Sequence, residues 1–206
     1  MTYAADSIDD FLSAVASGAA VPAGGTTAAI VGATGAALCE MAHLHSSDAA
    51  DADTDTAAET GTTGADLPSI RDDLRWYRGR LLTLADADAD AVATLLATQP
   101  TDDVSATPEA KRATGVPLAI AEACSAVLDH APVVTEAGSP VVVPDAVTGA
   151  FLARAAVRAA VFTVRHNADR SATPAFADQM VRRAAAVERD AERACERVIA
   201  AADARH

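Results

Sequence analysis

The stretch VPAGGTTAAIVGATGAALCE, residues 21–40, decides the fold. A proline and a glycine pair lead into two threonines, and a run of small apolar residues follows. No charged residue lies between Asp10 and Glu40. Gly24-Gly25 permits backbone conformations closed to other residues. Thr26 or Thr27 can then cap a helix whose first N–H groups point back at the glycines, as a ligand-binding helix start requires. The spacing predicts a helix from about Thr26 to His45. Ala28, Gly32 and Ala36 share one face, where a second backbone can come close. The plainer reading is a core helix behind an ordinary glycine turn. No Gly-Lys-[Ser/Thr] follows the glycines and no strand precedes them, which excludes a phosphate loop and a dinucleotide fingerprint. The run is long enough to cross a bilayer, but it is poor in Leu, Ile and Phe and is broken by Pro22, Gly24 and Gly25. A helix buried in a bundle fits it better.

The rest of the chain is helical in pattern. Asp6 or Ser7 can cap a short helix carrying Ile8, Phe11, Leu12 and Val15. Residues 46–66 are rich in Asp, Thr and Gly and predict an acidic loop. Pro68 restarts a helix that continues through Leu74, Leu81, Leu84, Val92 and Leu95, and Gln99 to Ser105 breaks it. Thr107-Pro108 starts a further helix, bent at Pro117 and ending near Pro132. Residues 133–144 read as irregular, with Val141-Val142-Val143 as one short extended segment. Pro144 starts a helix to about Asn167. Pro174 starts the last, where Met180, Ala184, Val187, Ala191, Ala194 and Val198 follow alternating four- and three-residue steps. The expectation is one domain over residues 1–206, an all-α bundle of five or six helices. Alanine-rich helices bury little apolar area per residue, a shortfall that a homodimer interface would offset.

The 206 residues carry a formal net charge of −13, with Lys111 the only lysine. Such a surface repels nucleic acid and anionic membranes, so neither is an expected partner. Asp outnumbers Glu, and Ala and Thr are abundant, which leads us to expect a halophilic protein; loss of folding as KCl is removed would bear this out. Cys39, Cys124 and Cys195 are isolated and form no disulfide or zinc pattern. The acidic N-terminus has no apolar signal segment, and a cytoplasmic location is expected. His43, His45 and His166 have no metal-ligand spacing, and no metal is expected.

Several short motifs in order resemble a known family. They are Pro22-Ala23-Gly24-Gly25-Thr26, a small-residue helix, and Asp88-Ala89-Asp90-Ala91-Val92. Thr114-Gly115-Val116-Pro117-Leu118, Pro144-Asp145-Ala146 and Val164-Arg165-His166-Asn167 follow. Over residues 7 to 170 the chain is similar to the cyclodeaminase/cyclohydrolase family, although Ala23 and Thr26 stand where the family usually carries glycine and serine. The resemblance implies an all-helical fold, a homodimer and a tetrahydrofolate derivative as substrate. With no formiminotransferase domain attached, it implies hydrolysis of 5,10-methenyltetrahydrofolate to 10-formyltetrahydrofolate. The rivals are a formiminotetrahydrofolate cyclodeaminase releasing ammonia and a non-catalytic folate-binding or structural bundle. Neither reaction needs a metal or redox cofactor.

The methenyl bridge is a delocalised cation to which water must add. A carboxylate stabilises the cation and can take the proton of the water. Asp145, after Pro144 at a helix start, is the first candidate; its plainer role is a favourable helix-dipole contact. Asp88 matches a second acidic position of the family, or lies on a solvated face with Asp86 and Asp90. Glu40 ends the uncharged helix, and is either partly buried there, where its charged form is disfavoured, or simply emerges at the surface. Pro22, Gly24, Gly25 and Thr26 would bind substrate. Asn167 would meet the pterin amide edge, or else a backbone group. Arg154, Arg158 and Arg165 share a helix face and could meet a folate glutamate tail, but pairing with acids of a neighbouring helix is the simpler reading.

Overall fold

The structure, a computed structural model, describes residues 2–52, 67–97 and 107–205. After a single 3-10 turn at Tyr3–Ala5 come six α-helices: α1 (Ile8–Val15), α2 (Gly24–Ala52), α3 (Leu67–Ala97), α4 (Pro108–Ala137), α5 (Val143–Ala168) and α6 (Pro174–Asp203). No strand occurs among the described residues, so the all-α bundle is the observed fold.

Helices α2, α4 and α5 pack on one another at the centre, with α3 against α2 and α4, and α6 against α4 and α5. These central helices are long and apolar enough to cross a membrane by length and composition. In the bundle, that apolar character is spent on mutual packing. Close approach depends on glycine. A Cβ on Gly35 would lie 2.6 Å from the Gly149 carbonyl oxygen, and one on Gly149 would lie 2.8 Å from that of Gly35. Gly32 leaves room for Cys124 of α4. The seam expected on α6 is present: Met180, Ala184, Ala191, Ala194 and Val198 are buried. Burial pushes the Cys39 and Cys124 thiols up to about 12, so both are inert core residues.

Local signals set several ends. Ser7 caps α1 by accepting the Asp10 amide, and Thr107 caps α4 by accepting that of Ala110. The Arg205 guanidinium donates to the Glu136 and Gly138 carbonyls and closes the end of α4.

Three expectations are corrected. Helix α2 does not stop at His45 but runs to Ala52, so the acidic loop is shorter than residues 46–66; residues 53–66 lie outside the described residues, as does the break at 99–105. Helix α4 does not end at Pro132 but continues to Ala137. A proline removes one backbone donor, yet both Pro117 and Pro132 are buried and packing holds the helix through them. Val141-Val142-Val143 is not extended; it forms a turn into α5, with Val142 N–H bonded to the Ser139 carbonyl. On α1 only Phe11 turns inward, edge-on to Tyr3, while Ile8, Leu12 and Val15 are exposed.

Candidate functional site

Helix α2 begins at Gly24, and its first four N–H groups have no acceptor within the helix except where the preceding turn supplies one. The Ala23 carbonyl takes the Thr27 amide. Thr26 does not cap its own helix. Its hydroxyl donates across to Asp88 Oδ2 of α3 (2.9 Å), and its amide bonds the same carboxyl. Asp88 is therefore a tertiary cap, brought from 62 residues away. Gly25 makes this possible: a Cβ there would lie 2.6 Å from the Asp88 carboxyl carbon. Thr26 and Asp88 are both buried, at 0% and 3% exposure.

Burial pushes the Asp88 pKa above the ordinary carboxylate value, against the Thr26 hydrogen bonds, which lower it. A buried carboxyl held above its usual range, on the positive end of a helix, is a candidate acid–base group. On another face of the same helix start, toward α1 and α5, lies a groove of about 420 Å³ lined by Val15, Pro22, Gly24, Thr27 and Val31 and by Ala155 and Ala159; Asp88 is not among its lining residues. Pro22 and Gly24 face a groove, but the Thr26 donors are already occupied by Asp88.

Asn167 lies at the same end of the bundle, in a second cavity of about 480 Å³ with Leu95, Thr114 and Arg170. Its side-chain amide donates to the Ala113 carbonyl (2.8 Å). That carbonyl is the one Pro117, four residues on, cannot serve. Of the two readings of Asn167, the backbone partner is the one observed.

Glu40 and Asp145 are not brought to this end. Helices α2 and α5 are antiparallel, and Cys39 meets the Ala146 carbonyl (3.9 Å). Both acids therefore sit about 22 Å along α2 from Gly25, by the helical rise over fifteen residues. Glu40 is not a free buried acid: it accepts from Arg75 Nε (3.1 Å) and Arg78 Nε (3.0 Å). Sequence reasoning missed these partners, whose i, i+3 spacing was the available signal. Asp145 is half-buried, and among the described residues its side chain makes no hydrogen bond. Arg154 and Arg165 pair with Glu192 and Glu188 of α6, each at 2.6 Å, as the simpler reading had it. No group of three His, Cys, Asp or Glu side chains suited to a metal occurs among the described residues.

Comparison with known proteins places this geometry. The chain belongs to the formiminotransferase-cyclodeaminase family, whose profile matches residues 7–186. It is 31% identical over 188 residues to the methenyltetrahydrofolate cyclohydrolase of Methylorubrum extorquens, covering 86% of each chain. Its fold is similar to the crystal structure of formiminotetrahydrofolate cyclodeaminase from Thermotoga maritima, with a TM-score of 0.83 at 20% identity over 98% of both chains.

Proposed function

We propose that the protein hydrolyses 5,10-methenyltetrahydrofolate to 10-formyltetrahydrofolate, with Asp88 at the α2 start as its working carboxylate. The observation that carries this reading is the buried Asp88, held by Thr26 against Gly25 and raised in pKa, at the same helix start whose Pro22 and Gly24 line a groove. The cyclohydrolase relative supports this reaction in preference to deamination.

On this reading the substrate lies in the groove with its cationic carbon toward the Asp88 side of the helix start. Ionised Asp88 offsets the positive end of α2 and stabilises the bound cation. Water adds to the methenyl carbon and gives up one proton, taken by the carboxylate and passed to solvent. The adduct's hydroxyl proton moves to N5 as the carbon–N5 bond breaks, leaving the formyl group on N10. One proton is released overall. Pro22 and Gly24 line the groove, Gly25 and Thr26 seat Asp88, Asn167 holds the neighbouring end of α4, and Asp145 and Glu40 stand outside the reaction. The protein works as a cytoplasmic homodimer.

Loss of methenyl absorbance measures the hydrolysis. Asp88→Asn is expected to lower kcat by roughly 100-fold or more, the scale of a lost acid–base group, while Asp145→Asn retains activity. The reverse pattern would move the chemistry to the α5 start. Ammonia released from the formimino substrate would instead identify a cyclodeaminase, and folate binding without turnover a non-catalytic bundle.

A further inference from the structure

Several arginines elsewhere in the bundle pair one to one with acids: Arg154 with Glu192, Arg165 with Glu188, Arg183 with Glu122. On α3 this balance fails. Arg71, Arg75 and Arg78 fall on one stripe of the helix, at i, i+4 and i+7. Arg75 and Arg78 share the single carboxylate of Glu40, and the buried Nε of Arg71 has no hydrogen-bond partner among the described residues. Among the described residues, these three guanidiniums thus have one carboxylate for an ion-pair partner, in a chain with 29 acidic and 16 basic residues.

We propose that this stripe is an anion-binding site for a carboxylate or phosphate group. The geometry is that of a braced fork. Glu40 is 7% exposed and fixed in the α2–α3 interface. Each of its oxygens takes one Nε, which orients both guanidinium planes while their side chains remain 53% and 40% exposed. The Nη edges stay available, and a guanidinium edge binds an oxyanion through two parallel hydrogen bonds. Because Glu40 already holds the planes, little side-chain freedom is left to lose on binding.

Arg78 is ten residues from Asp88, about 15 Å along α3, so the site is separate from the α2 start. Its anion is either a free small ion or the acidic tail of a ligand whose body occupies the groove. Only the tail source rests on the proposed folate substrate.

The test is calorimetric titration of the full chain, at fixed ionic strength, with inorganic phosphate and with triglutamate. Saturable binding of at least one probe is expected. The double variant Arg75→Lys/Arg78→Lys keeps the charge and the pairing with Glu40 but loses the fork, and should bind about tenfold more weakly or worse. Arg71→Gln should also weaken binding, and Arg80→Gln, on another face of α3, should not. Melting temperatures identify the folded variants. Tighter binding of triglutamate supports a tail, and equal or tighter binding of phosphate supports a free anion. No saturable binding of either probe, or affinities unmoved in both the double variant and Arg71→Gln, overturns the site. Binding that persists in a protein without methenyl hydrolysis leaves the site standing and removes only the proposed activity.

Discussion

At the scale of the residue, Asp88 carries two opposing effects. Burial penalises its charged form, and the Thr26 hydroxyl and amide favour it; burial is the larger. Its folded pKa therefore exceeds its unfolded one. Its stabilising contribution is full below the unfolded pKa and is lost as pH rises through the folded value. Asp88→Asn removes that slope. Relative to the native chain, the variant should gain stability as pH rises from acidic toward neutral, read from urea melts across that range. Asn167 offers a second test. It serves the carbonyl that Pro117 leaves without a donor, and an unsatisfied buried acceptor costs about 1–3 kcal/mol. Asn167→Ala should lose stability on that scale, and Asn167→Asp, which cannot donate when ionised, should not recover it.

At the scale of the element, glycine acts in opposite senses on different helices. Gly149 sits where α5 touches α2, and an added methyl would meet the Gly35 carbonyl oxygen at 2.8 Å. Backbone yields poorly, so Gly149→Ala should cost about 1–3 kcal/mol or more through overpacking. A Cβ on Gly79, in the exposed middle of α3, would meet nothing. There the same substitution should stabilise by roughly 0.5–1 kcal/mol, because alanine loses less backbone freedom in a helix. Paired denaturation curves check both signs. Gly25 belongs to the first kind, with the Asp88 carboxyl in place of a backbone.

At the scale of the whole molecule, the bundle leaves one apolar side uncovered. Phe151, Ala155, Ala159 and Phe162 form a stripe along α5, with Phe162 71% exposed. Val15 of α1 and Val31 of α2 line the groove beside it. A second copy of the chain covering this side would supply the burial that alanine-rich helices lack. Phe162→Asp is expected to shift sedimentation from dimer to monomer; a native chain that sediments as a monomer at all concentrations would remove the dimer.

Periodicity, capping residues and proline positions were enough to place the helices, because each is a local property of the chain. The Ser7 and Thr107 caps, the α6 seam and the buried cysteines are all legible in this way. Helix ends were less so. The sequence could not show that packing would carry α4 through Pro132, or that α2 would extend past His45. The candidate site divided along the same line. The glycine-led start of α2 and the acidic position at 88 could each be read from the sequence, but their union could not. Asp88 reaches Thr26 across 62 residues only because α3 runs antiparallel to α2 and Gly25 has no side chain to keep it away. Antiparallel packing of α5 on α2 sets Asp145 near Glu40, midway along α2 and far from its start, and packing of α3 turns Glu40 from a lone acid into the anchor of two arginines. Sequence thus determined which segments are helical and which residues are chemically able. Tertiary packing alone decided which of them meet, because burial and hydrogen bonding act through space between elements that the chain keeps far apart.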